Sequence, residues 1–215
     1  MVVTSSPSGA LIIACGALAQ EIAALRRINH WEALDIQCLP PELHNDPKQI
    51  PAKVREAIQA ARERYARIFV AYADCGTGGR LDAVLAEEGI ERLPGAHCYE
   101  FFATARRFSE LAEQEPGTFY LTDFLVRHFD RLVVQTLGID KHPELIVEYF
   151  RNYRRVVYLI QDESQSDVEQ AARIAQHLGL EFQTLLTGYG ELERSLRQVA
   201  SGPKEARIQW ATWPR

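Results

Sequence analysis

Apolar and polar positions alternate along this chain in two rhythms. Short aliphatic or β-branched runs at residues 11–14, 34–39, 68–71, 118–122, 156–160 and 182–186 read as buried strands. Between them, apolar residues recur at helical spacing, first at Leu18, Ile22, Leu25 and Ile28. The pattern predicts helices over 17–28, 51–65, 81–88, 99–113, 167–178 and 190–199. Pro51 falls in the first turn of its helix, where a missing N–H costs least. Gly89 closes the helix before it, and Ser166 is a suitable N-cap for the helix that follows. A long helical region over 124–153 is broken near Gly138 and Pro143. A short strand at 90–93 and a last one at 207–210 complete the series.

Strands separated by helices of ten or more residues imply right-handed βαβ units. The expected fold is α/β, an open and mostly parallel sheet with helices on both faces. Residues 1–215 read as a single α/β domain, with a lobe boundary near residue 117 where Pro116-Gly117 interrupts the rhythm. No long linker is present, so two packed lobes are expected ahead of two independent domains.

Composition narrows the class. The chain is 47% apolar and 25% charged, which suits a folded globular protein and excludes disorder as the main state. No apolar run approaches the roughly 18 residues of a membrane span. The formal charge is −5, from 24 basic and 29 acidic residues, which argues against a broad nucleic-acid surface. Arg106, Arg107, Arg127, Arg151, Arg154 and Arg155 are interleaved with acids and read as solvated helix faces. Tyr99, Phe101, Phe102, Phe108, Phe119 and Tyr120 read as core aromatics. Residues 10–15 resemble the end of an export signal, but residues 1–10 hold no Lys or Arg and the apolar run is short. The segment is therefore read as a buried strand and the protein as cytoplasmic, with its four cysteines as thiols or ligands ahead of disulfides.

Open parallel sheets bind ligands beyond the carboxyl ends of their strands. All four cysteines are expected there: Cys15 after the first strand, Cys38 at the end of the second, Cys75 after the third and Cys98 after the fourth. His44 lies in the Pro-rich loop after Cys38. Thiolate and imidazole together suit zinc, and three protein ligands with one open position mark a catalytic site. The expected triad is His44, Cys75 and Cys98. Cys75 sits in a Gly-rich turn, and Cys98 opens a helix whose N-terminal dipole favours thiolate. Cys15, also before a helix, is a fourth ligand or a nucleophile. Cys38 is read as structural. His97 is an alternative ligand, and Glu100 is either a general base or a first-turn acid on a helix dipole. Gly76, Gly78 and Gly79 form a turn whose N–H groups suit an anionic cofactor group, although neither the P-loop nor the G-x-G-x-x-G spacing is present.

The order of several motifs extends the picture. They are Ile13-Ala14-Cys15-Gly16-Ala17-Leu18, Leu43-His44-Asn45 with Pro47, and Val70-Ala71-Tyr72-Ala73-Asp74-Cys75-Gly76-Thr77-Gly78-Gly79. Pro94-Gly95-Ala96-His97-Cys98, Gly117-Thr118-Phe119-Tyr120-Leu121-Thr122 and Leu137-Gly138-Ile139-Asp140 follow. Over nearly its whole length the chain resembles the bacterial and archaeal domain-of-unknown-function family sixteen thirty-eight. The resemblance implies an association with corrinoid-dependent methyl transfer, with a corrinoid methyltransferase as partner. It also implies Cys15, His44, Cys75 and Cys98 as the family's cysteine and histidine positions. Ala96-His97-Cys98 departs from the acidic residue expected before that cysteine, which removes a carboxylate from the site's surroundings.

Three functions follow as expectations. In the first, zinc on His44, Cys75 and Cys98 activates a small substrate, with methyl transfer as the reaction. In the second, the cleft binds a metal, corrinoid or anion without turnover and serves a methyltransferase, although no D-x-H-x-x-G corrinoid signature is present. In the third, Cys15 or Cys75 is a metal-free nucleophile.

Overall fold

The computed structural model describes residues 9–201. The described residues divide into two compact units, 9–98 with 191–201, and Tyr99–Gly190. Residue 117 falls inside the second of these. The strand expected at 207–210, with Trp210 and Trp213, lies outside the described residues.

The first unit begins with β1 (Ala10–Cys15), a 3-10 turn, α1 (Ala19–Ile28) and β2 (Leu34–Leu39). Two further 3-10 turns, at Pro41–Asn45 and Pro47–Gln49, lead into α2 (Ile50–Ala61). Then come β3 (Arg67–Ala71), α3 (Arg80–Glu88) and β4 (Glu91–Arg92). All pairings are parallel and the strand order is β2-β1-β3-β4. Every residue of β1 is buried. A strand covered on both faces has no need to alternate, which is why this segment reads as a continuous apolar run. Ile50, Val54 and Ile58 of α2 and Leu81 of α3 are likewise buried, along the stripes that their spacing marks.

The second unit takes in α4 (Cys98–Ala103) from Tyr99 onward, α5 (Ala105–Gln114), β5 (Thr118–Thr122), α6 (Asp123–Arg127) and α7 (Leu145–Phe150). It continues with β6 (Arg155–Ile160), α8 (Val168–Leu178) and β7 (Glu181–Leu186). Its sheet is parallel, ordered β5-β6-β7. Alternate residues of β6 enter two apolar clusters: Val156, Tyr158 and Ile160 one, Val157 and Leu159 the other. α9 (Gly190–Ser201) carries the chain back to the first unit. The fold is thus α/β with two open parallel sheets, of four and three strands. No helix among the described residues is long and apolar enough to cross a membrane.

Three departures from expectation have local causes. The single helix expected over 99–113 is two, α4 and α5, broken at Thr104, whose φ is +65°. A β-branched residue in that region is strained, and neither Gly nor Pro announces it. α8 is capped by Asp167, whose carboxylate accepts from the Gln170 N–H at 2.8 Å, in place of Ser166. The long region after residue 124 is α6, a π-helical turn at Asp130–Val134, and α7.

Candidate thiol–imidazole site

The site is assembled at the carboxyl end of the first sheet. Ala14 pairs with Cys38 on one side and with Ala71 on the other. Cys15 and Tyr72 are the next residues along β1 and past β3. At Cys15 the chain bends into the 3-10 turn, and the sulfur accepts from the Ala17 N–H at 3.3 Å.

Gly16 lets the neighbouring loop close over this end. A Cβ there would stand 2.8 Å from Pro41 Cδ and 2.9 Å from the Leu39 carbonyl oxygen. The turn at Pro41–Asn45 therefore lies directly against β1 and delivers His44. Its Nδ1 is 3.0 Å from the Pro41 carbonyl oxygen and 3.8 Å from Cys15 Sγ. Its ring runs parallel to that of Tyr72, with 6.3 Å between centroids and 11° between planes. A carbonyl only accepts, so Nδ1 carries the proton, and Nε2 is left as the basic nitrogen. Although His44 as a residue is exposed, the loss of hydration at its inner edge lowers its pKa. The Pro41 carbonyl opposes this and the charge of His97 adds to it.

Cys75 follows in the loop after β3. It is buried and adopts φ +51°, a conformation that a non-glycine residue holds only where its surroundings impose it. Its N–H donates to the Ala96 carbonyl at 2.9 Å, which ties the loop to the segment leading to Cys98. Gly76 leans on Pro47, just beyond His44. Cys98, partly buried, opens α4. None of the four cysteines is in a disulfide. Cys38, expected to be structural, is exposed on edge strand β2.

Burial dominates the ionisation of both buried thiols. Burial pushes Cys15 up to about 12, against the Ala17 N–H and with the charge of Cys75 adding to it. Burial likewise pushes Cys75 up to about 11, against a backbone hydrogen bond at Ala73 and the charge of Arg92. Both stay protonated at neutral pH. Their unfolded counterparts ionise near 9.0, so the unfolded chain releases these protons first as pH rises. Their contribution to stability is complete below about pH 9 and is lost toward pH 12. We predict that the denaturant midpoint of metal-free protein falls above pH 9. The fall should be shallower in Cys15→Ser; an identical slope would contradict it.

The glycine turn is closed by its own neighbour. The N–H groups of Gly78 and Gly79 donate to the Asp74 carboxylate at 3.0 and 2.9 Å, and the Thr77 hydroxyl donates at 2.6 Å. Burial disfavours the charged form of Asp74, but these bonds and Arg92 outweigh it and hold the carboxyl below its ordinary range. The Gly78 and Gly79 N–H groups expected to cradle an anion thus already have one. Glu100 lies in α4 and belongs to the second unit. Two depressions of about 290 and 330 Å³ surround His30, Trp31 and Glu32, at the amino ends of β1 and β2.

The structure thus brings Cys15 and His44 into contact and places Cys75 within electrostatic reach of Cys15. Among the described residues, no group of three or more His, Cys, Asp or Glu side chains is placed to hold a metal ion. Sequence reasoning missed Tyr72. It is 0% exposed and neighbours both Cys15 and His44, yet within Val70-Ala71-Tyr72-Ala73 it reads as one more core aromatic.

Residues 38–196 match the model of a family described as Protein of unknown function (DUF1638). The matched span includes His44, Cys75 and Cys98 and begins after Cys15. No curated protein matches the chain, and no solved structure does.

Proposed function

The chain belongs to that family of unknown function, and we propose that it binds a soft divalent metal ion, zinc foremost, at the carboxyl end of its first sheet. His44 Nε2 and the Cys75 and Cys98 thiols are its ligands, and Cys15 is the fourth donor. One observation carries the reading: the His44 Nδ1–H is fixed on the Pro41 carbonyl beside a buried thiol. Metal-binding histidines are commonly oriented in this way, with one ring nitrogen held by a carbonyl and the other free to ligate.

The chemistry of the donors favours a metal over a metal-free nucleophile. A nitrogen that already holds a proton against Pro41 cannot take the proton of Cys15. No cation among the described residues makes either buried thiol a thiolate, since both are pushed up and not down. A divalent ion supplies that missing charge when bound. The donors have the right chemistry and lie at one end of the sheet; converging on the ion is left to the loops that carry Cys75 and Cys98. Methyl transfer involving a small thiol substrate and a corrinoid methyltransferase partner is the setting in keeping with such a site.

The test is metal content. Protein purified without a His tag or chelator should hold about one zinc per chain. The Cys75→Ser/Cys98→Ser double variant should hold little or none. No metal, even after anaerobic reconstitution with zinc, would overturn the reading.

A further inference from the structure

We infer that the first unit carries a second binding site, at the amino ends of β1 and β2, for a flat-ringed anion of the nucleoside monophosphate class. It lies at the opposite end of the sheet from Cys15 and stands independently of the metal reading.

Two hollows of about 290 and 330 Å³ open there. Each is close to the roughly 300 Å³ at which small-molecule sites begin. Both are lined by His30, Trp31 and Glu32, so they open around the same indole. Arg26 and Arg27 also line the first, and Arg67 the second. Three arginines against one carboxylate make the lining cationic, in a chain whose formal charge is −5.

Two of these arginines are oriented by the main chain and not by carboxylates. Arg26 donates from Nε to the Trp31 carbonyl and from Nη2 to the Glu32 carbonyl, both at 3.3 Å. Arg67 donates from Nη1 to the Val199 carbonyl, and its Nε is buried without a partner. A carbonyl fixes a guanidinium without cancelling its charge, so the positive field remains for an anion.

Trp31 is held as a platform. It follows the C-terminus of α1, where its N–H donates to the Arg26 carbonyl at 3.0 Å. Its own carbonyl accepts from Arg26 and from the Leu34 N–H, the latter at 3.2 Å. Arg197 of α9 stands over the ring, 5.9 Å from its centroid, and pairs with Glu193 at 2.6 Å. A fixed, half-buried indole among cations suits the stacking of a flat ring that carries negative charge. His30 holds φ +53° at a helix end where glycine is the usual residue, and so places an imidazole on both hollows.

Glu32 discriminates among anions. A bare phosphate or carboxylate meets only repulsion from it. A ligand with hydroxyl or amino donors beside its charge uses it as an acceptor. A nucleoside monophosphate supplies all three partners: phosphate for the arginines, base for Trp31 and ribose hydroxyls for Glu32.

Calorimetric titration of the whole chain with AMP, GMP, CMP and UMP at low salt is the test. At least one should bind with a Kd below about 1 mM. For that nucleotide, Trp31→Ala should weaken binding about 5- to 100-fold, the range for loss of one stacked base. Trp31→Phe keeps an aromatic face and should stay within about 3-fold of the wild type. Arg27 is exposed, so Arg27→Glu leaves the fold intact and should weaken binding at least about 10-fold. The matching nucleoside and inorganic phosphate should each bind at least about 10-fold more weakly than the nucleotide.

Absence of binding by all four nucleotides overturns the inference. So does a nucleotide whose affinity is unchanged in both Trp31→Ala and Arg27→Glu, because it then sits elsewhere. Inorganic phosphate that binds as tightly as the nucleotide overturns the stacking on Trp31 and with it the ligand class. Zinc-free and zinc-treated protein should bind the nucleotide alike, so failure here and failure of the metal reading are separate results.

Discussion

Asp123→Ala should destabilise the second unit by about 3–5 kcal/mol, the largest effect expected of any single substitution outside the thiol site. Asp123 is 3% exposed, directly after β5. Its carboxylate accepts from the Tyr158 hydroxyl at 2.6 Å and from the N–H groups of Gln161 and Asp162 at 3.1 and 2.9 Å. Its own N–H donates to Gln161 Oε1 at 2.8 Å, and Gln161 Nε2 donates in turn to the Leu159 carbonyl. One carboxylate thus fastens the ends of β5 and β6 together. Alanine would leave three donors facing nothing, two of them on buried residues, and each bond to a charged acceptor is worth about 1.5–3 kcal/mol. Such terms are not additive, which sets the estimate below their sum. Against a typical total of about 5–15 kcal/mol the loss is large. Urea unfolding would measure it, and a loss under about 1 kcal/mol would refute the account. A second readout is specific to the bond. Burial first, and then the Asp123 bond, push the Tyr158 hydroxyl well above the ordinary tyrosine range. Its ionisation should move back toward that range in the variant.

How much of this was legible beforehand depends on how local each cause is. Strands such as β1 and β6 were legible because a strand buried on both faces needs an unbroken apolar run, and few other structures do. Placing Cys15 and Cys75 at strand carboxyl ends followed from β1 and β3 alone. The break at Thr104 was not legible, because nothing in its immediate neighbours requires a left-handed φ. The Gly76-Gly79 turn misled for a related reason. A glycine turn beside a strand signals backbone N–H groups that want an anion, but not whose. Here it is Asp74, four and five residues before the donors. Tyr72 was hidden because an aromatic inside an apolar run reads as core, and its packing against His44 is a property of three-dimensional surroundings. The role of Asp123 carried a fainter signal: Asp123 and Gln161-Asp162 follow neighbouring strands at equivalent positions.

Gly16→Val should damage the thiol site without touching any of its proposed ligands. The φ of Gly16 is not in the left-handed range, so a side chain meets no backbone penalty there. The obstacle is space. A Cβ would lie 2.8 Å from Pro41 Cδ and 2.9 Å from the Leu39 carbonyl oxygen, and the latter is backbone paired within the sheet. The turn at Pro41–Asn45 is the part that can yield, and it carries His44. Its displacement takes the imidazole off Cys15 and off Tyr72. Overpacking of this kind is worth about 1–3 kcal/mol in stability. The proposed metal binding should suffer more, because a loop that holds His44 away from Cys15 cannot bring its imidazole to the same ion. We expect the affinity for cobalt(II), a spectroscopic stand-in for zinc, to fall by at least 10-fold, with the stability loss near the upper end of that range. Gly78→Ala is the control that separates space from conformation. Gly78 has φ +63° and no atom within 4 Å of a Cβ. It should therefore lose about 1–2 kcal/mol through backbone strain alone, with cobalt affinity unchanged. If both variants bound cobalt like the wild type, the close approach at Gly16 would not be what holds His44 in place. If Gly78→Ala alone lost the metal, the turn after β3 would govern the site, and the Pro41–Asn45 turn would not.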